Sequence, residues 1–381
     1  MARTSDVAII GAGIQGCSTA LHCRLRGLSV TVIEKDHAGR HASGVNAGGV
    51  RRLNRDPAEI PLSDASMRIW HGIDELLGDD CGFRISGQVR VAETPADLEV
   101  LTARAQMVRD LGFTHEEMIG RDELYELVPA LAPHCLGALI ARDDGFASPA
   151  RATAAFRRRA AELGAVFLEN CPAEMPRRRG GAWEIPTLQG PVQAQYLVNT
   201  SGAWGGNFAA ALGEPVPIVA RAPMLMITDR LPPFVIPVVG SASRYISFKQ
   251  LDNGTVLIGG GTIGSADPAR NTTRLDFAGL ATLANTSRDL FPIMRGTRVI
   301  RCWAGIEGCM PDGIPVIGPS STERDVFHAF GFSMHGFQLG PVVGRILSEL
   351  ILDGGSNLPL EPFSITRFAG HAHAETFKEA S

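Results

Sequence analysis

Residues 6–36 read "DVAIIGAGIQGCSTALHCRLRGLSVTVIEKD". Val7 to Ile10 form a short, fully apolar run, the pattern of a buried strand. Ala20, Leu21 and Leu25 then recur at helical spacing, so Gly11, Gly13 and Gly16 fall at a strand-to-helix turn. Gly11 allows the tight turn, Gly13 lets the backbone approach a pyrophosphate, and Gly16 lets the helix pack closely on the strand. The helix N-terminus offers free N–H groups and a partial positive charge to that pyrophosphate. A second strand, Ser29 to Ile33, ends in Glu34, about 20 residues on, where an acid hydrogen-bonds the adenosine ribose hydroxyls. Lys35 is counted with it among the nucleotide contacts. The acid disfavours a 2′-phosphate, and so NADP.

Working outward, the chain departs from a simple NAD-binding pattern. It enters a Gly-, Ser- and Asn-rich loop, "GRHASGVNAGGVRRLNRDP", able to run along a ligand. A helix is expected from about Met67 to Leu77 and a strand at "GQVRVAE". Helix and strand return at "SPARATAAFRRRAAELGAVFLENCPAEM", and strand, glycine turn and helix at "DVFHAFGFSMHGFQLGPVVGRILSELILDG". Pro341 suits the first turn of that last helix, where no intrahelical N–H is required. Between these blocks, "RAPMLMITD", "RYISFKQL" and "GTVLIGGG" read as strands, the last two joined by a "DNG" hairpin signal. Tyr245, Phe248 and Lys249 are possible pocket residues of that sheet.

Composition bounds the function. The 381 residues, 45% hydrophobic and 20% charged, suffice for two domains. A net charge of −4 lacks the basic excess of a nucleic-acid binder. Arg157–Arg159 and Arg177–Arg179 read as solvated faces of a helix and a loop. No apolar run reaches membrane-span length and no signal-peptide architecture is visible, so a cytoplasmic location is expected. Seven cysteines without Cys-x-x-Cys or ligand spacing argue against a disulfide framework and a metal site.

The order of motifs resembles the D-amino-acid oxidase superfamily of FAD enzymes, which includes glycine and sarcosine oxidases. The resemblance rests on "GAGIQG" with Glu34, "ASGVNAGGVR", "DDGFASP", "LVNTSGAWG", "NGTVLIGGG", "WAGIEGCMPDGIPVIG" and "GFSMHGFQLGP". Within it, the chain is most similar to the beta subunits of opine oxidases and hydroxyproline dehydrogenases. The resemblance implies an α/β fold: a Rossmann-like FAD-binding domain from residues 1–85, 145–218 and 301–381, with a mixed or antiparallel β-sheet substrate domain from 86–144 and 219–300.

It also implies roles by position. Ser43 lies on the pyrophosphate side, and Ala47, Gly48 and Gly49 lie against the flavin ring. Ala173 contacts adenine, and Ser201, Gly202 and Trp204 form a second dinucleotide contact. Gly331, Gly336, Phe337, Gln338 and Leu339 surround the turn whose helix N-terminus faces the flavin's pyrimidine side. His335 either presents its backbone and ring there or merely packs, and is not read as a base. The family often has glycine where Met334 stands. Arg51, Arg52 and Arg55 are candidates for a substrate carboxylate, which an arginine can hold bidentately, or else surface residues. The cysteine that anchors flavin in some relatives is replaced by Gly305, with Cys302 nearby, so FAD is expected to be non-covalent. Leu257 stands where certain oxidases carry an oxygen-activating lysine, which leaves oxygen, a quinone or a partner subunit, in a hetero-oligomer with alpha and gamma chains, as acceptor.

The implied activity is oxidation of an amino acid at a primary or secondary amine. The alternatives are a non-catalytic or electron-transfer flavin subunit, or an FAD-dependent 2-hydroxy-acid dehydrogenase. Glu307 occupies the position of a carboxylate-binding arginine in glycine oxidases. It either pairs with a cation such as Arg301, accepts the ammonium proton as a base, or binds a second cationic group of the substrate.

Overall fold

The computed structural model describes residues 2–369. Two large sheets organise the chain. The first carries five parallel strands in the order 166–168, 30–33, 3–10, 192–199 and 326–330, as buried apolar runs require. Antiparallel strands extend it at 182–185, 177–179 and 316–319. The first strand runs Arg3–Ile10, four residues earlier than the apolar run alone suggests, because it pairs with Val192–Asn199 along its whole length. The second strand begins at Val30; Ser29 is held by Asp6, which accepts from both its N–H and its Oγ–H at 2.6 Å.

Among the described residues the second, mixed sheet has eleven strands, including Gln88–Ala92, Val219–Arg230, Ser247–Gln250 and Thr255–Gly259. The expected hairpin across Asp252–Gly254 is present, with Lys249 opposite Leu257. Its back face buries Val89, Val91, Phe248 and Ile258 in one core. Val299–Ala304 and Glu307–Cys309 pair with Val219–Arg230. The boundary expected at 301 therefore falls inside a strand of this sheet.

Three local expectations are corrected. The helix placed at 67–77 is two helices, Ile60–His71 and Ile73–Leu77, started by Pro61 in the first turn and broken at Gly72. Arg177–Arg179 is an exposed strand rather than a loop, its guanidiniums paired with Glu184, Glu323 and Asp325. Pro341 sits inside the last helix, Gly336–Asp353, rather than in its first turn, and leaves the Phe337 carbonyl without its intrahelical donor. That helix starts early because it lies against the first helix, Ile14–Leu25. A Cβ on Gly344 would stand 2.2 Å from Ser18 Oγ, and one on Gly340 2.8 Å from Ile14. Gln15 Nε2 donates to Gly336 O at 2.8 Å across the same contact. No helix among the described residues is long and apolar enough to cross a membrane.

Candidate active site

One cavity of about 840 Å³ runs from the first glycine turn to the face of the second sheet. At its nucleotide end Gly11 has φ +103°, and a Cβ there would stand 2.5 Å from Thr200 O. Gly13 faces Ser43, whose Oγ accepts from Ile14 N at 3.0 Å. Gly16 does not line the cavity: a Cβ on it would meet Gly11 O at 1.9 Å, so it serves the packing role expected of it. Glu34 lines the cavity and accepts from Ala12 N at 2.7 Å and Asp36 N at 2.9 Å. Lys35 lines it too, with Nζ 3.7 Å from the Trp204 ring centroid and 3.3 Å from Asp36.

Beyond this turn, Ala47, Gly48 and Gly49 form one wall, Ser201 and Gly202 another. Ala173, on an isolated bridge to Thr187, closes the nucleotide end. Gly331, His335, Gly336 and Phe337 line the far wall. Gln338 and Leu339 do not. The Gln338 side chain is fully buried, exchanging hydrogen bonds with Ser63 at 3.0 and 2.8 Å, and Leu339 packs in the core behind the helix.

The carboxylate candidates separate. Arg52 is not in the cavity; it is tied to Asp64 at 3.1 Å, Asp144 at 3.3 Å and Asp143 at 3.5 Å. Arg51 and Arg55 do line it. Arg51 Nη1 donates to the Leu53 carbonyl, and Arg55 Nε to Arg51 O at 3.1 Å. Arg55 is only 2% exposed and its Nη1 has no hydrogen-bond partner. His335 Nδ1 lies 2.9 Å from Glu59 Oε2, an ion-pair distance without hydrogen-bond alignment. Burial lowers the His335 pKa, opposed in part by Glu59. Burial would raise Glu59, but His335, Arg55 and Arg51 together hold it low.

Glu307 faces the cavity and pairs with no cation among the described residues; Arg301 lies instead over the Trp303 ring. Of the three alternatives for Glu307, pairing with Arg301 is thereby removed. Burial pushes the Glu307 carboxyl up to about 7, although its Oε1 accepts from Met334 N at 2.6 Å. Met334 has φ +71°, a left-handed conformation that glycine would adopt without strain. The acid thus pins the turn in front of the last helix.

On the second sheet, Phe248 is a core residue, stacked on Phe291 at 4.2 Å. Strand alternation puts Ser247 and Lys249 on the other face, and both line the cavity, as does half-exposed Tyr245. Lys249 is 4% exposed, donates to the Ala47 carbonyl and stands 4.4 Å from the Phe146 ring. Burial pushes its amine down to about 7. Arg90 and Glu59 were not singled out from the sequence. For Arg90 a signal existed: in "QVRVA" the valines at 89 and 91 point to the core, so the arginine must point to the other face. Glu59, in "DPAEIPL", carried none.

The family model described as "FAD dependent oxidoreductase" (DAO) matches residues 6–350. The chain belongs to this family. Among curated relatives, the oxidoreductase is 26% identical over 384 residues to glycine oxidase of Geobacillus kaustophilus, covering 98% of this chain and 100% of the relative. It is 24% identical to the sarcosine oxidase beta subunit of Rhizobium meliloti, covering 95% and 88%. Among solved structures, L-proline dehydrogenase from P. horikoshii superposes with a TM-score of 0.90 at 26% identity, covering 97% and 98%.

The oxidoreductase has the architecture that FAD requires. Its glycine turn would clash with any Cβ, and its cavity lies near the upper end of the range of about 300–1,000 Å³ typical of ligand sites. Gly11, Gly13 and the first helix's N-terminus would hold the pyrophosphate, Glu34 the ribose, and the segments at 47–49 and 335–337 the ring. Cys302 packs with the second-sheet core and does not line the cavity. At Gly305 a Cβ would stand 2.3 Å from Val45, so this position offers no room for a thiol.

Proposed function

We propose that this oxidoreductase oxidises an amino acid at its primary or secondary amine, giving an imine that hydrolyses in water. Non-covalent FAD, when bound, supplies the hydride acceptor. The observation that carries the reading is the joining, in one cavity, of a dinucleotide turn to Arg51 and Arg55, two cavity-lining arginines. With Arg52 committed elsewhere, Arg51 is the guanidinium proposed to hold the substrate carboxylate beside the ring wall. Glu307 then lies across the cavity as the group that takes the ammonium proton, since only the neutral amine can release hydride. Its raised pKa suits that exchange near neutrality. His335 stands against Glu59 at the N-terminus of the last helix.

The acceptor reading changes with Lys249. Leu257 does not line the cavity, but Lys249, paired with it across the hairpin, does. A lysine therefore does face the cavity, at 249 rather than at 257. Oxygen, a quinone and a partner subunit all remain within the proposal, and the sarcosine oxidase beta-subunit relative supports the last. All seven cysteines are free, which fits the reducing cytoplasm.

The test is an anaerobic titration of FAD-loaded protein with sarcosine, D-amino acids, prolines, iminodiacetate and opines. Bleaching of the visible flavin absorbance by at least one amine is expected. Bleaching by 2-hydroxy acids and by no amine would overturn the proposal in favour of a hydroxy-acid dehydrogenase. No bleaching until a partner chain is added would support a subunit whose chemistry lies elsewhere.

A further inference from the structure

The cavity holds more positive charge than one substrate carboxylate can neutralise. Arg51 and Arg55 reach it from the loop after Gly49, and Arg90 from the strand Gln88–Ala92. Their guanidinium hydrogen bonds go to main-chain carbonyls: Arg51 to Leu53, Arg55 to Arg51, and Arg90 Nη2 to Ala242 at 3.2 Å. Neighbouring charges are already matched. Arg104 is bidentate to Glu116 at 2.8 Å, and Arg244 is paired with Glu93 at 2.5 Å. Asp56 is exposed, with Oδ1 accepting from Ala58 N. Three buried carboxylates reach these arginines: Glu59 and Asp144 act on both Arg51 and Arg55 and Glu116 on Arg51, but Asp144 is tied to Arg52 and Glu116 to Arg104.

With Asp144 and Glu116 matched to other arginines, Arg51, Arg55 and Arg90 outnumber the carboxylates left to them, and Arg55 carries a buried, unpartnered Nη1; this is a costly arrangement unless an anion joins it. Mutual repulsion shows in the same place. Burial and then Arg51 push Arg55 down to about 9, and burial followed by Arg51 and Arg104 lowers Arg90.

We propose that Arg55 and Arg90 form a subsite for a second carboxylate, so that the preferred substrate is an amino acid carrying two carboxylates. Arg51 holds the one next to the reacting amine; Arg55 and Arg90 hold the distal one. The inference rests on the amine-oxidising reading above for the reaction, though not for the binding. The distal carboxylate can hang from the nitrogen, as in iminodiacetate, or from the carbon chain, as in glutamate.

Calorimetric titration of FAD-loaded protein with two unreactive probes, butyrate and glutarate, tests the subsite directly. Glutarate should bind at least about tenfold more tightly, and Arg90→Gln should shrink that ratio to below about threefold. Arg90 Nη2 donates to main chain, at Ala242 O, so the variant should fold; if it does not, Arg55→Gln is read by the same ratio. Equal binding of the two probes, or a ratio that survives in the variants, would overturn the subsite. The matched pairs sarcosine and iminodiacetate, and alanine and glutamate in each configuration, are then compared by anaerobic flavin bleaching. Whichever pair favours its dicarboxylate locates the second carboxylate on nitrogen or on carbon. Tight glutarate binding with no amine oxidised would overturn the reaction and leave the subsite; amine oxidation with equal probe binding would do the reverse.

Discussion

Glu307 answers to two demands at once, and a single substitution separates them. Glutamine can still accept the Met334 N–H and hold the strained turn, but it cannot ionise. Glu307→Gln should therefore keep its flavin while losing at least about tenfold in kcat/KM, or roughly 1.4 kcal/mol of transition-state stabilisation. In the wild type the rate of flavin reduction should rise as pH climbs through about 7, where the carboxyl ionises. That limb should vanish in the variant; unchanged kinetics would return Glu307 to a purely structural role. Lys249 titrates in the same range with the opposite sign. Folded, its pKa lies near 7, against about 10.4 for a free lysine, so the folded state binds fewer protons between those values. Its burial therefore costs most stability below about pH 7 and progressively less as the pH rises. Thermal melts of Lys249→Met should show a larger gain over wild type at pH 6 than at pH 9. A difference that ignores pH would mean the amine is solvated. Neither shift could be read from sequence: "FKQ" and "GIEG" give the residue types, whereas both shifts come from burial by segments distant in the chain.

Among elements, the contact between the first and last helices sets the cavity's two ends relative to each other. Gly340 and Gly344, one turn apart, let the last helix lie on Ile14 and Ser18 with no room for a methyl group. Gly344→Ala should cost about 1–3 kcal/mol by overpacking and lower the flavin-to-protein absorbance ratio, because the turn at 333–336 moves with the helix. A variant with wild-type melting and flavin content would show that the helices can part at no cost. The sequence disclosed that glycines matter at 11, 13 and 16, where strand and helix periods meet around them. It was silent about 340 and 344, whose only cause is a helix some 320 positions away. Strand alternation was legible in the same partial way. It placed a β-sheet over the cavity, but which face looked inward depended on the aromatic core around Phe248 and Phe291. Arg52 misled for a related reason: its chain position is as good as that of Arg51, and only the folded chain brings Asp64 and Asp144 to it.

For the whole molecule, the fold class and its assembly from separated segments were legible because each nucleotide-domain block keeps its own strand and helix signature. The point where the chain changes sheet near 300–309 was not, since a strand reads alike in either sheet. The same stretch bears on the cofactor's attachment. With Gly305 against Val45 and Cys302 turned to the core, acid precipitation should leave a white pellet and a yellow supernatant, and the denatured chain should have the mass of its polypeptide alone. A pellet that stays yellow would point to a covalent bond and to Cys302 first. The meeting of the first and last helices also has a consequence for synthesis. The glycine turn leaves the ribosome some 320 residues before the wall opposite it, which is not complete until residue 344 has emerged. Between those two points the nascent chain therefore carries half a cofactor site and an uncovered helix face. Contacts of such long sequence separation form slowly. Flavin capture then waits for that later segment, and FAD supplied during synthesis should raise the yield of folded protein more than the same supply given after purification.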